Sequence, residues 1–167
     1  PSPIGEISQE PSAFEAFLDA NQKKLIIFGI LVIFCLVGYV FVKGWDKIRK
    51  EEAAAAFAEA RTGPQYQAVS QNYDGKNAGG SAMLLKAQLL WSDQQQQEAI
   101  EVLETFVSKY PEHPAVGSGY ASLGSYQQQL KNLDKAREAF EMAARSESAA
   151  SSLALLSLGD LELQAGK

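Results

Sequence analysis

The longest hydrophobic stretch in the chain is the uncharged run from Leu25 to Val42, where fourteen of eighteen residues are Leu, Ile, Val or Phe. At about 1.5 Å of rise per residue, this run makes a helix of roughly 27 Å, close to the ~30 Å hydrocarbon thickness of a bilayer. Lys23 and Lys24 precede the run and Lys43 follows it. The pattern predicts a retained signal-anchor helix that crosses a membrane once. The alternatives are a helix buried in a soluble core and a cleaved signal peptide, whose basic start the four acids ahead of the run do not match.

The segments on either side of the predicted span carry side chains typical of a membrane surface. Aromatic rings and snorkelling lysines favour the headgroup region, and we assign five residues to it: Lys23, Lys24, Tyr39, Lys43 and Trp45. Residues 1–24 are predicted to be a tail with a short amphipathic helix from Ser12, which either lies in the interface or simply extends the anchor helix. Residues 43–61 are predicted to form a helical stalk, because strong helix formers continue up to Thr62-Gly63-Pro64.

Apolar residues recur at three- and four-residue spacing through most of residues 62–167, and no stretch of length alternates like a strand. The pattern therefore predicts an all-α domain of short helices. These cover residues 64–73, 81–92, 97–110, 115–130, 134–145 and 153–164. A loop is predicted over residues 74–80, which are rich in glycine. No helix follows to cover the leucines of 153–164, so we expect either a fragment, which we favour, or a last helix that caps the domain.

Two of these helix pairs repeat one pattern. The spacing Ala99-x3-Leu103-x2-Phe106 recurs 37 residues later as Ala136-x3-Phe140-x2-Ala143, and Leu123-Gly124 recurs 35 residues later as Leu158-Gly159. Small residues at such positions let helices approach closely, while large apolar ones fill the gaps. Together with Tyr120-x2-Leu123-Gly124 and Pro111, the pattern resembles the tetratricopeptide repeat, a 34-residue helix–turn–helix unit. The resemblance implies an α-solenoid of antiparallel helix pairs whose last repeat is incomplete.

The anchor and the repeats together resemble the bacterial membrane-anchored tetratricopeptide-repeat family that includes the YfgM-like ancillary subunits of the Sec translocon. The resemblance rests on the Phe17-Leu18-x2-Asn21-x-Lys23 segment, the anchor, the alanine-rich stalk and the helix pairs. It implies a single-pass protein of the bacterial inner membrane, with a cytoplasmic N-terminus and periplasmic repeats that contact a translocon and chaperones. The flanking charges favour the opposite orientation, because two lysines precede the anchor and four Lys or Arg follow it. We favour the orientation implied by the resemblance.

Charge and composition narrow the class of partner. Residues 51–167 contain nine Lys or Arg and fifteen Asp or Glu, and this net charge of −6 (9 − 15) disfavours nucleic acid. The single cysteine, Cys35, excludes an internal disulfide and a Cys-based zinc site. The single histidine, His113, lies between two prolines and is predicted to be a surface turn residue, and Glu98, Glu101 and Glu104 are expected on an exposed helix side. With no catalytic motif in view, we expect a protein that is not an enzyme and uses no cofactor, metal or small-molecule substrate.

Function is then expected in a protein-binding surface. In tetratricopeptide repeats the first helix of each pair lines a concave groove, and the resemblance places ten residues there: Ser81, Leu84, Gln88, Trp91, Ser92, Ser118, Ala121, Ser125, Gln128 and Gln129. The set is neutral, and its one large anchor, Trp91, has packing between helices as its alternative role. The leading hypothesis is a membrane-anchored interaction scaffold that docks on an inner-membrane complex and on soluble partners. The alternative is a structural accessory subunit whose anchor helix packs within a larger membrane complex.

Overall fold

The computed structural model describes residues 13–164, excluding the side chains of residues 13–16 and of residue 19. Every regular element in this range is an α-helix, which confirms the all-α class predicted from the apolar spacing. The helices are α1 (Ala13–Glu59), α2 (Gly63–Asn72), α3 (Asn77–Ser92), α4 (Gln96–Lys109), α5 (Val116–Gln129), α6 (Leu133–Ala144) and α7 (Ala150–Gln164). The chain divides into two compact units, one up to Lys47 and one from Ile48 onward.

The first unit consists of most of α1, which is a single helix of 47 residues. Within residues 13–164, α1 contains the one segment that is long and apolar enough to cross a membrane. No residue in the most apolar 18-residue stretch of α1 is buried. The alternative that this helix lies inside a soluble core therefore does not agree with the structure. The segment before Leu25 was expected either to lie in the membrane interface or to extend the anchor helix. In the structure it extends the anchor helix. The predicted tail and the capping box that begins at Ser12 lie outside the described residues.

Aromatic and basic side chains pair near the C-terminal end of the apolar segment. The Nζ atom of Lys43 lies 5.3 Å from the centroid of the Tyr39 ring. The rings of Phe41 and Trp45 tilt against each other with centroids 5.4 Å apart. At the other end of the segment, Lys23 and Lys24 are exposed. Such pairs of rings and cations suit the headgroup layer, where one end of the side chain is apolar and the other is wet.

The second unit begins with the last turns of α1, which pack against α2 and α3. Ala60 shares a buried cluster with Tyr66 and Val69 of α2, and the Phe57 and Tyr66 rings lie 6.1 Å apart. Arg49 donates a hydrogen bond of 3.2 Å to the Asn72 carbonyl, and its guanidinium lies over the neighbouring Tyr73 ring. The end of α1 is therefore part of the packed helical unit.

The pairs α3–α4 and α5–α6 are antiparallel hairpins with the same turn. Gln94 and Lys131, 37 residues apart, both have a left-handed backbone, with φ of 65° and 64°. The N–H groups of the next residues, Gln95 and Asn132, donate to carbonyls five residues back at 2.8 and 2.9 Å. This is the Schellman pattern that closes a helix C-terminus. The 37-residue spacing therefore recurs in the backbone as well as in the sequence.

Glycines let α5 approach the second helix of each hairpin closely. A Cβ atom at Gly124 would lie 2.7 Å from Cδ1 of Phe140 in α6, and one at Gly119 would lie 2.6 Å from Cε1 of Phe106 in α4. Phe106 and Phe140 are 0% and 1% exposed, so neither ring has free space beside it. These contacts join α5 to the helices before and after it, and the hairpins consequently stack on one another.

The last helix, α7, packs on the preceding hairpin through an apolar face with two fully buried residues. Ala154 and Leu161 are buried in one cluster with Ala121 and Phe140. Arg137 of α6 pairs with Glu162 near the end of α7, so these two helices are antiparallel. α7 therefore occupies, relative to α5 and α6, the place of a first helix in a further hairpin.

The helix bounds differ from the sequence prediction mainly at α3. The loop predicted over residues 74–80 is wrong from Asn77 onward, because α3 already begins there. A Cβ atom at Gly80 would lie 2.9 Å from the His113 ring and 3.2 Å from the Phe106 ring. Gly80 is therefore a helical residue at a point where α3 packs closely against its neighbours, and it is not a loop residue. α7 likewise begins at Ala150, three residues before its predicted start.

Substituting Gly124 tests the close contact between α5 and α6. Gly124→Ala is expected to lower the free energy of unfolding by roughly 1–2 kcal/mol, because displacing Phe140 costs more than the ~1 kcal/mol that alanine gains in helix propensity. The matched control is Gly159→Ala, where an added Cβ meets nothing within 4 Å and where we expect a gain of up to about 1 kcal/mol. Urea unfolding of the full chain in detergent micelles, followed by circular dichroism, measures both. A loss of stability in both variants, or in neither variant, would contradict the packing described.

Candidate protein-binding surface

Helices α3 and α5, the first helices of the two hairpins, lie side by side and run parallel. Leu84, in the middle of α3, and Val116, at the start of α5, pack against the same buried cluster of Phe106, Val107 and Tyr110. Near their C-terminal ends, the rings of Trp91 and Tyr126 contact each other. The two helices together present the residues that the sequence predicted to line a groove.

The predicted residues differ in how much of each remains accessible. Four are exposed: Gln88, Ser92, Ser118 and Gln129. Five are half-buried: Ser81, Leu84, Trp91, Ser125 and Gln128. Ala121 is buried in the core, so its predicted place in the groove is wrong. The small side chain of Ala121 is needed where α5 packs against α6 and α7.

Three of the predicted serines already have intramolecular partners. The Ser92 hydroxyl donates a hydrogen bond of 2.8 Å to the Leu89 carbonyl. The Ser81 hydroxyl lies 3.3 Å from Nε2 of His113. The Ser125 hydroxyl donates a hydrogen bond of 3.0 Å to the Ala121 carbonyl, one turn back in α5. The hydrogen-bonding capacity of the surface therefore comes mainly from the exposed side chains Gln88, Ser118 and Gln129.

Trp91 stacks on Tyr126, and this pair joins the two hairpins. The ring centroids are 3.8 Å apart and the planes are within 5° of parallel. Burial raises the pKa of the Tyr126 phenol above its ordinary value. Trp91 thus combines both roles considered from the sequence, because it packs between helices and remains half-exposed. Sequence reasoning missed Tyr126. The repeat offered a signal for it, because Leu89 of α3 occupies the position that corresponds to Tyr126 of α5, and Leu89 also packs against the preceding helix, α2.

His113 is buried, and its prediction as a surface turn residue is wrong. The side chain is 6% exposed, and its ring stands edge-on to the Phe106 and Tyr110 rings. Its Nδ1 atom accepts a hydrogen bond of 3.0 Å from the Ala115 N–H, and Nε2 lies 2.9 Å from the Asn77 carbonyl. Because Nδ1 accepts, Nε2 carries the proton and donates to Asn77. The neutral ring therefore ties the α4–α5 turn to the start of α3.

A second polar cluster ties the turn between α2 and α3 to the end of α4. The Tyr110 hydroxyl donates to Oδ1 of Asp74 at 3.0 Å and accepts a hydrogen bond of 3.1 Å from the Gly75 N–H. Lys109 forms an ion pair of 2.8 Å with Asp74. The hydrogen bonds from Lys109 and Tyr110 hold the pKa of the Asp74 carboxyl below its ordinary value. This cluster and His113 both fix the N-terminal end of α3, and with it the position of the candidate surface.

Two clefts between helices lie away from the predicted residues. One of about 350 Å³ lies among α2, α3 and α4 and includes Lys86 and Glu98 in its lining. The other, of about 260 Å³, lies among α4, α5 and α6 and includes Leu123 and Met142. None of the predicted groove residues lines either cleft. Glu98, Glu101 and Glu104 are exposed along α4, as predicted.

The side chains described hold no group of three or more His, Cys, Asp or Glu residues that is arranged to bind a metal ion. Over residues 13–164, the chain is all-helical and has one candidate membrane-spanning helix, near its N-terminus. Comparison of the chain with protein-family models and with curated proteins gave no match.

The Asp74 cluster predicts a specific pH dependence of stability. Because the pKa of Asp74 is lowered in the folded chain, its contribution is fully present well above the ordinary value of 3.8 and is lost as the pH falls through the lowered value. Asp74→Asn should therefore destabilise the chain at pH 7 and have little effect near pH 2. Urea midpoints measured from pH 7 to pH 2 check this, with Asp93→Asn in the exposed α3–α4 turn as the control. A difference between wild type and Asp74→Asn that stays constant with pH would contradict the assignment.

Proposed function

We propose that this protein is a membrane-anchored scaffold for protein–protein interaction. Its helical unit is a tetratricopeptide-like array that docks on an inner-membrane complex, such as a translocon, and on soluble partners. The anchor crosses the bacterial inner membrane once, with the N-terminus in the cytoplasm and the helical unit in the periplasm. The family resemblance supports this orientation against the flanking charges.

The repeat of the hairpin turn supports a tetratricopeptide-like array. The left-handed residues Gln94 and Lys131 stand 37 residues apart, and the hydrogen bonds around them match. The small residues Gly119 and Gly124 seat aromatic rings from the second helices before and after α5. Repeat proteins of this kind stack hairpins so that each contacts its neighbours, which leaves an extended surface for binding.

One observation carries the proposed function: the parallel helices α3 and α5 expose an uncharged surface around the Trp91–Tyr126 stack. A large aromatic side chain that is stacked on a neighbouring ring and partly exposed is the kind of residue that dominates binding energy at protein interfaces. The exposed amides of Gln88 and Gln129 add hydrogen-bonding groups. Such a surface suits a neutral polypeptide segment, whose backbone those amides can pair with.

The anchor helix favours the tethered scaffold over the packed accessory subunit. Helices that pack within membranes place small residues on one face so that backbones can approach closely. Gly29 and Gly38 are nine residues apart, which at about 100° per residue puts them on opposite faces of α1. The side chains between them are apolar, and all but Cys35 are large. This arrangement suits contact with lipid.

A photo-crosslinking amino acid placed on each side of the helical unit tests the scaffold proposal in intact cells. At Gln88 and at Gln129, on the candidate surface, we expect discrete protein adducts. At Gln97 in α4 and Lys135 in α6, which are equally exposed but lie on the second helices, we expect none of the same adducts. Adduct formation at Gln88 should fall several-fold in a Trp91→Ala background that remains folded by circular dichroism, because the aromatic anchor is removed. The same adducts from both sides, or none from any position, would overturn the proposal.

A further inference from the structure

The two clefts between helices are equivalent places in successive hairpins. We call the cleft among α2, α3 and α4 the first cleft and the cleft among α4, α5 and α6 the second cleft. Every residue that lines the second cleft stands 37 positions after a residue that lines the first, with the same offset as the turn residues Gln94 and Lys131. Met83 recurs in this way as Tyr120, Glu101 as Glu138 and Thr105 as Met142. The repeat of the fold therefore builds one cleft twice.

Each cleft has an apolar floor that is only partly covered. Met83, Leu90 and Val102 are half-buried in the first cleft. In the second cleft Leu123 is half-buried, and Met142 is 42% exposed. The volumes of about 350 and 260 Å³ give each cleft room for an apolar side chain. Flexible side chains such as methionine can adapt their shape to such an occupant.

Carboxylates border both clefts. Glu98 and Glu101 line the first cleft, and Glu104 and Glu138 line the second. All four side chains are exposed, and none of them forms an ion pair with another residue of the described range. Each cleft is lined by only one lysine, so the pair of clefts carries a net negative charge. Positively charged groups beside an apolar side chain would complement this lining.

The spacing of the clefts suits an extended polypeptide. Helices that pack side by side, as α3 and α5 do, have axes roughly 10 Å apart, so the equivalent clefts are separated by about that distance. In a polyproline II segment, residues i and i+3 lie on one face about 9 Å apart. Such a segment can place one apolar side chain in each cleft and turn the residues between them toward the glutamates.

Charge favours a partner protein over the other candidates for this site. Residues 1–12 of the chain contain two acids and no Lys or Arg, and residues 51–167 carry a net charge of −6, so a second copy would present like charge. The same repulsion disfavours a surface of anionic lipids. α7 lines neither cleft, so the helix expected to cover its leucines does not account for them.

We propose that the two clefts together bind a basic, extended segment of a partner protein. Its apolar residues stand three positions apart, one in each cleft, and Lys or Arg residues beside them pair with the bordering glutamates. The α3–α5 surface is uncharged and uses other residues, so this inference goes beyond the proposed function and concerns a separate segment.

An end-capped, fluorescently labelled peptide of sequence KLKKLK is the probe for this site. Anisotropy with the full chain in micelles of an uncharged detergent, at fixed ionic strength, should show saturable binding of one peptide per chain. Replacing both leucines by serine should weaken binding by about tenfold or more, because both apolar contacts are lost. The isomer KLKLKK should bind several-fold more weakly, because its leucines no longer share one face of an extended segment.

Matched substitutions in the chain place a positive charge in each cleft. Thr105 and Met142 occupy equivalent positions and are both exposed, so Thr105→Lys and Met142→Lys should leave the chain folded. Each is expected to weaken binding of KLKKLK by about threefold, and the two together by about tenfold, because each repels the peptide from one cleft. Ser118→Lys adds the same charge on the α3–α5 surface and is the control, with no change in binding expected.

Four results would overturn the inference. They are no binding at millimolar KLKKLK, equal binding of the serine peptide, an equal loss of binding with Ser118→Lys, and a chain that is dimeric in micelles and becomes monomeric with Thr105→Lys and Met142→Lys. The second and third would reduce the binding to general attraction by an acidic surface, and the fourth would assign the clefts to a second copy. Trp91→Ala is expected to leave binding of KLKKLK unchanged, which distinguishes failure of this site from failure of the α3–α5 surface.

Discussion

The large apolar surface of α1 is the feature that most constrains where this protein can reside. Eighteen consecutive uncharged residues, most of them branched or aromatic, are exposed along the helix, and no other described element covers them. At about 25 cal/mol per Å², transfer of this apolar surface out of water is strongly favourable. A bilayer would remove this surface from water, and an unbroken helix satisfies its own backbone hydrogen bonds in such a setting.

The second unit is stabilised differently, by aromatic rings that pack against small residues of neighbouring helices. Phe106 and Phe140 fill the space between helices because glycine or alanine stands opposite each of them. Polar links hold two of the turns in place: His113 ties the α4–α5 turn to α3, and Tyr110 with Lys109 ties the α2–α3 turn to α4. Rigid hairpins joined in this way can present side chains such as Trp91 without rearrangement, which lowers the entropic cost of binding a partner.

Much of the fold follows from the sequence, because local spacing determines it. The apolar run predicts the long helix, and the 3.6-residue periodicity predicts the later helices with bounds mostly within one or two residues. What escaped prediction depends on contacts between residues far apart in the chain. Gly79 and Gly80 were predicted in a loop, but they are helical because Tyr110 and Phe106 approach them from α4. His113 was predicted on the surface, but two aromatic rings and the start of α3 enclose it. Of the candidate surface, the exposed glutamines and Trp91 were predictable from the repeat register, whereas Tyr126 was not, because its contact crosses between hairpins.

The only cysteine of the chain allows a direct test of the claim that α1 anchors the helical unit in a membrane. Cys35 lies near the middle of the apolar run, and Ser118 is exposed in the helical unit. In intact cells treated with a membrane-impermeant maleimide, we expect no labelling of Cys35 until the membrane is dissolved, because the bilayer surrounds it. A Ser118→Cys variant in a Cys35→Ala background should be labelled in intact cells, as the periplasmic orientation requires. Labelling of Cys35 in intact membranes at the rate found in detergent would contradict the anchor, and labelling of Ser118→Cys only after lysis would contradict the orientation.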